Sequence, residues 1–157
     1  MNILATPIDG CFEIRPDKFR DRRGSFVKTF NYSAFLEAGL RTDWKEEYYS
    51  VSVKHVIRGM HFQIPPHDHA KLVACLKGEI RDVVVDLRKS SSTFGQCHSV
   101  LLSAEQGNCM YVPEGLAHGF LSLTEDALVT YKVTSEYHPE SDAGILWSSI
   151  DCFTCPC

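Results

Sequence analysis

A chain of 157 residues, 44% hydrophobic and 23% charged, is sized and composed for one folded domain around one core rather than for a disordered tail. The net charge of −4 argues against a broad nucleic-acid-binding face, which needs a basic surface, but leaves room for one small anionic ligand held by local arginines. No apolar run approaches the roughly 18 residues needed to cross a bilayer, and residues 1–10 lack the layout of a signal peptide, so a cytoplasmic protein with no membrane partner is expected.

In chain order, the N-terminal segment carries Phe12, Ile14, Phe19 and Phe26. This apolar surface suits burial against a second copy, and an exposed sheet edge covered that way predicts a homodimer with exchanged N-terminal strands. Residues 33–39 form the one helical candidate: Ser33 can cap it, Phe35 and Leu36 give it an apolar face, and Gly39 stops it. Residues 51–63 read as two short strands broken near Lys54-His55. Residues 80–87, Ile-Arg-Asp-Val-Val-Val-Asp-Leu, are rich in β-branched side chains. A short turn is expected at 103–106, a strand ending at a proline turn over 107–113, and a strand over 127–134 that alternates apolar and polar residues in its second half. Many short strands separated by turn residues predict an all-β sandwich or closed barrel, with residues 1–157 as a single domain.

Of seven cysteines, Cys11, Cys75, Cys97 and Cys109 are scattered, and such residues are expected to be reduced, buried small hydrophobes. Cys152, Cys155 and Cys157 crowd the end of the sequence. Cys152 and Cys155 have CxxC spacing, but a zinc knuckle needs a second ligand pair, and none is evident.

Gly107-x5-Pro113-x-Gly115-x2-His118 sends a strand through a Pro-Glu-Gly turn and aims a histidine back across the barrel. It matches the second half of the cupin signature, with Ser122 where an asparagine is usual. The fold expected is a cupin barrel (double-stranded β-helix, jelly-roll-like) with short peripheral helices. His67-Asp68-His69 resembles the start of the metal-binding half, but Ala70-Lys71-Leu72 follows where a glutamate is needed, and a lysine would repel a divalent ion. No metal and no cofactor are therefore expected. A metal cupin using His67, His69 and His118 stays as one alternative.

Further motifs occur in one order: Asp21-Arg-Arg23-Gly-Ser-Phe26, Arg58-Gly-Met-His61-Phe-Gln63, Lys71-Leu-Val73, Gly78-x3-Asp82-Val-Val-Val-Asp86-Leu-Arg88, Ser92-Thr-Phe-Gly95, Val112-Pro-Glu-Gly-Leu-Ala-His118-Gly-Phe120, Tyr131-Lys132 and Gly144-Ile-Leu-Trp147. Over about residues 10 to 150 the chain resembles the dTDP-4-dehydrorhamnose 3,5-epimerases. The resemblance implies an isomerase of deoxysugar biosynthesis that inverts C3, C5 or both of a nucleotide-diphospho-4-keto-6-deoxyhexose. The C–H bonds beside a carbonyl are acidic, so such an enzyme needs a base, an enolate stabiliser and an acid on the opposite face. The resemblance assigns these roles to His61, Lys71 and Tyr131, with Asp82 and His118 as a carboxylate–imidazole pair in the same site. It assigns substrate binding to Arg23, Phe26, Arg58, Gln63, His69 and Tyr137, with Arg58 suited to pyrophosphate and Tyr137 to stacking on the base.

Three departures accompany the match. The family's base is a His–Asp dyad whose aspartate follows the Gly-Ile-x-Trp motif by some twenty residues, and this sequence reaches Cys157 ten residues after Trp147. His61 is thus expected to lack its orienting carboxylate, which makes a weak or inactive nucleotide-sugar binder a second alternative. Phe26-Val27-Lys28 stands where a glutamate often follows the phenylalanine, and Glu46-Glu47-Tyr48-Tyr49-Ser50 replaces a Gln-x-Asn-x-Ser pattern. The nucleotide base and the exact sugar are left open.

Overall fold

Side chains alternate faces along a strand, and in this chain that alternation sorts catalytic candidates from packing residues. The computed structural model describes residues 1–153. It contains thirteen strands: β1 (Asn2–Ala5), β2 (Phe12–Arg15), β3 (Lys18–Asp21), β4 (Gly24–Val27), β5 (Glu46–Ser52), β6 (Ile57–Gln63), β7 (Lys71–Lys77), β8 (Glu79–Asp86), β9 (Cys97–Ser103), β10 (Cys109–Val112), β11 (Leu116–Ser122), β12 (Ala127–Val133) and β13 (Asp142–Gly144). A single helix, α1 (Tyr32–Glu37), and two 3-10 turns at Trp147–Ser149 and Asp151–Phe153 complete it.

The strands form a six-stranded sheet in the order β1-β2-β10-β7-β12-β5 and a five-stranded sheet in the order β13-β6-β11-β8-β9. All their pairings are antiparallel. The β3–β4 hairpin forms a separate two-stranded sheet. The two large sheets face each other across a core that includes Val73, Ile80, Val84, Met110, Phe120 and Val129. This is the expected all-β, cupin-type barrel.

β7 shows how sequence dictates the layering. Val73 and Cys75 enter the inter-sheet core, while Leu72 and Ala74 pack on the opposite face against Phe35 and Leu40. A strand covered on both faces reads as a continuous apolar run, as Leu-Val-Ala-Cys-Leu does. Lys71 shares the inward parity of Val73. In β12, Tyr131 shares the inward parity of Ala127 and Val129. In β8, Asp82 falls between the inward Ile80 and Val84, and in β11 His118 falls between the inward Leu116 and Phe120. Four charged or polar candidates thus face the interior by periodicity alone.

Strands β6 and β11 approach so closely that a Cβ on Gly59 would lie 2.6 Å from the Gly119 Cα, and one on Gly119 would lie 2.7 Å from the Arg58 carbonyl oxygen. Glycine at both positions permits this approach. The register of the pair shifts between His118 and Phe120 and sets His118 directly opposite His61.

Three expectations need correction. The helix starts one residue before Ser33, because Asn31, in extended backbone, caps it by accepting a hydrogen bond from the Ala34 N–H at 3.0 Å. Cys97 is not a reduced core cysteine: it forms a disulfide with Cys152, Cα to Cα 6.2 Å, tying β9 to the last 3-10 turn, whereas Cys11, Cys75 and Cys109 are free and buried. Ile14 and Phe12 are not surface for a partner, since β2 pairs with β10 and places both against Tyr111 in the chain's own core. Cys155 and Cys157 lie outside the described residues.

Candidate active site

A cavity of about 680 Å³ opens between the sheets. From the six-stranded sheet come Lys71 and Tyr131, and from the five-stranded sheet come Arg58, His61, Gln63 and His118; His69 and Tyr137 enter from the adjoining loops. Asp82 lies behind His118, fully buried, with its Oδ1 2.7 Å from His118 Nε2. A buried carboxylate at that distance fixes the tautomer and the plane of the ring. The other oxygen of Asp82 has no partner among the described residues.

Lys71 is buried, and its Nζ donates to the His61 carbonyl oxygen at 3.1 Å. Burial pushes its pKa down to about 8, against the pull of Asp82 and Asp142 in the other direction. It is a cation held where water cannot screen it, which is the condition under which a fixed charge stabilises an oxyanion strongly.

Burial also raises the pKa of Tyr131, a shift that the Ser50 hydroxyl, 3.4 Å from the phenol oxygen, partly offsets. The phenol therefore stays protonated at neutral pH, as an acid must. Tyr48 stacks on it with ring centroids 4.8 Å apart and planes 20° off parallel, and His118 meets it edge-on.

His61 is exposed at the cavity wall. No carboxylate among the described residues hydrogen-bonds its ring.

His69 sits against the side-chain amide of Gln63. The Gln63 carbonyl oxygen accepts from the His138 backbone N–H at 2.7 Å, which assigns the other end of that amide as the nitrogen. That nitrogen lies 3.0 Å from His69 Nδ1. His69 Nε2 is buried with no partner among the described residues. Burial, aided by the nearby Lys71, pushes the pKa of His69 down to about 4, so the ring is neutral at pH 7. Its side chain lines the cavity.

Gln63 lines the cavity from a buried position. Its amide donates to the His67 and Glu136 carbonyls at 2.7 and 3.2 Å, so it also positions two loops. The Arg58 guanidinium sits at the rim, donating to Ser52 Oγ at 2.9 Å and to the Val51 carbonyl at 3.3 Å.

Arg23 and Phe26 are not brought to the cavity. They lie at and beyond the turn of the β3–β4 hairpin, where Arg23 pairs with Asp21 at 2.6 Å and Phe26 is 60% exposed. The donor atoms of His67, His69 and His118 do not converge either. His118 is held by Asp82, His69 by Gln63, and His67 stacks on His138. Glu46, Tyr48 and Ser50, from the segment that departs from the family pattern, also line the cavity, as does Asp142, which motif reading missed. The parity of β5 with Tyr131 across the β12 pairing would have exposed the first three.

An imidazole, a buried cation and a buried phenol around one cavity are groups that can move protons to and from carbon, a set suited to a cupin-type barrel of the isomerase kind. A family model described as dTDP-4-dehydrorhamnose 3,5-epimerase matches residues 5–152. The enzyme of that description from Methanothermobacter thermautotrophicus is 45% identical over 148 residues, covering 94% of this chain and 80% of that protein. A solved dTDP-4-dehydrorhamnose 3,5-epimerase from Elizabethkingia anophelis superposes with a TM-score of 0.89 at 42% identity, covering 94% of this chain and 81% of the other. A dTDP-6-deoxy-D-glucose-3,5-epimerase from Legionella pneumophila, solved with dTDP-4-keto-L-rhamnose, gives 0.89 at 40% identity over 93% and 78% of the two chains. The chain belongs to the dTDP-4-dehydrorhamnose 3,5-epimerase family.

Proposed function

We propose that this chain is an epimerase that inverts C3, C5 or both of a nucleotide-diphospho-4-keto-6-deoxyhexose, acting in the cytoplasm in deoxysugar biosynthesis. The observation that carries the reading is the placement of His61 and Tyr131 on opposing sheets of one cavity, with the Lys71 cation beside them. His61 takes the proton from a carbon beside the 4-keto group. The electron pair moves onto the keto oxygen, where the Lys71 ammonium stabilises the enolate. Tyr131 then delivers a proton to the other face of the carbon, and the configuration inverts. Asp82 holds His118 against this centre. The unpartnered His69 Nε2 is a polar atom available to the ligand, Arg58 at the rim suits the diphosphate, and Tyr137, 60% exposed, offers a face for the base.

We further propose a homodimer. Phe19 and Phe26, 65% and 60% exposed, flank the hairpin that also carries Arg23. Insertion of this hairpin against a second copy would bury both rings and bring Arg23 and Phe26 to that copy's cavity. A monomer in light scattering at micromolar concentration would contradict this.

A second reading, binding without turnover, is favoured by one observation: His61 has no orienting carboxylate among the described residues. One experiment separates the two. In D₂O, a dTDP-4-keto-6-deoxyglucose substrate should gain deuterium at C3, C5 or both, and His61→Ala should abolish that exchange. Tyr131→Phe should damage net inversion more than exchange. Tight binding with no incorporation would sink the enzyme reading, and exchange that survives His61→Ala would refute the roles.

A further inference from the structure

A cluster outside the acid–base centre draws together side chains that the proposed reaction does not use. His67, in the loop between β6 and β7, stacks on His138, in the loop between β12 and β13, with ring centroids 3.5 Å apart and planes 9° from parallel. Glu140 closes the group: its Oε1 is 3.2 Å from His138 Nδ1 and 3.8 Å from His67 Nε2. All three donor atoms lie within 4.8 Å of one another.

Those spacings have a chemical meaning. Zinc binds imidazole nitrogen and carboxylate oxygen at about 2.0–2.1 Å in a tetrahedron, so two of its ligand atoms stand roughly 3.3 Å apart. The edges of 3.2 and 3.8 Å fall near that length. Two imidazoles and a carboxylate are the donor set of a borderline divalent transition cation rather than of magnesium or calcium, which take oxygen. The parallel rings now aim their lone pairs side by side, so capture needs one imidazole to swing out of the stack. Both side chains are about one-third exposed and can do so.

The backbone beneath the cluster is built in advance, which separates it from a chance meeting of surface histidines. The buried Gln63 amide donates to the carbonyl of His67 and accepts from the backbone N–H of His138. Further bonds run from the Ile64 N–H to the Ser141 carbonyl at 2.9 Å, from the His67 N–H to the Ile64 carbonyl at 3.2 Å and from the Ser141 N–H to the His138 carbonyl at 2.9 Å. One buried side chain thus fixes both ligand-bearing loops at the ligand positions themselves, as a second shell should.

We infer that His67, His138 and Glu140 form a binding site for a divalent transition cation of the Zn²⁺ class, with open positions for water, pinning together the two loops at the cavity mouth. The loops carry His69 and Tyr137, so the ion would stiffen the rim of the cavity without entering its acid–base centre.

The test uses the full chain with Zn²⁺ and Co²⁺ as probes. Because thiols compete for zinc, it is run in parallel on a Cys155→Ser/Cys157→Ser background. One Zn²⁺ per chain should bind by calorimetry in both backgrounds, with Kd on the order of micromolar or tighter. His67→Ala and His138→Ala should each weaken it by about tenfold or more, and His98→Ala should leave it unchanged. Bound Co²⁺ should lack a thiolate charge-transfer band. Saturating Zn²⁺ should raise the melting temperature of the parent and not of the His67→Ala/His138→Ala double variant. Absence of binding up to about 1 mM, binding indifferent to both histidines, or binding lost with Cys155 and Cys157 would each overturn the inference.

Discussion

Lys71→Met should make the protein more stable and nearly inactive at once. The pKa of Lys71 falls from 10.5 to about 8 on folding, so the ammonium form is less favourable in the folded chain by roughly 3 kcal/mol at about 1.4 kcal/mol per unit. Methionine removes that cost at pH 7 and also removes the bond from Nζ to the His61 carbonyl, 3.1 Å long, which is worth about 1 kcal/mol. The net expectation is a gain of about 2 kcal/mol. Linkage gives a second signature. Between about pH 8 and 10.5 the unfolded chain holds the Lys71 proton more often than the folded chain, so this group makes stability rise with pH across that window. The rise should be missing from the variant. Urea unfolding of parent and variant at pH 7 and pH 9.5 measures both, and taking their difference cancels the other titrating groups. Turnover should fall by about 10²-fold or more, the cost of deleting one oxyanion-stabilising donor. A variant less stable than the parent at pH 7, with an unchanged pH slope, would refute the claim that Lys71 is a strained, desolvated cation.

Asp82→Asn keeps the shape of the buried pair but removes the charge 2.7 Å from His118 Nε2, and kcat should drop by about 10²-fold or more while the melting temperature barely moves. An unchanged kcat would take Asp82 out of the machinery. Cys152→Ser opens the Cys97–Cys152 link, which spans 55 residues; the chain-entropy estimate for such a loop is about 4 kcal/mol, so denaturant midpoints should fall clearly in non-reducing buffer and should not fall further with reductant. Gly119→Ala puts a Cβ 2.7 Å from both the Arg58 carbonyl oxygen and the Met60 sulfur, so it should separate β6 from β11 and cost more activity than the nearby Ala117→Gly. Steady-state assays on well-folded material, checked by circular dichroism, would decide it.

Much of the site was legible because its residues sit in strands whose neighbours announce the facing. Lys71 beside Leu-Val-Ala-Cys, Asp82 between Ile80 and Val84, and Tyr131 in step with Val129 are polar residues on apolar faces, and their order along the chain matched the family's. The pairing of His61 with His118 was not legible, since it depends on a register shift between β6 and β11. Nor was the loop-positioning part of Gln63: beside lining the cavity, it bonds backbone groups of residues 67, 136 and 138, and only tertiary structure brings these together. The disulfide was hidden for the same reason, as Cys97 and Cys152 are far apart in sequence and composition favoured thiols. Asn31 outcompeted Ser33 as the helix cap through its backbone conformation, which no residue count reveals.

The two ends of the proposed proton route have unequal access to water. His61 is exposed, whereas Tyr131 is 8% exposed, covered by Tyr48 and in contact with the Ser50 hydroxyl. A hydrogen collected by His61 in the proposed reaction would be lost to the solvent at once. One delivered by Tyr131 would be resupplied more slowly, from the cavity or by way of the Ser50 hydroxyl. The site would then keep an isotopic memory on one wall and none on the other, and resupply of the phenol, rather than clearance of the imidazole, would set how fast the cavity resets between turnovers.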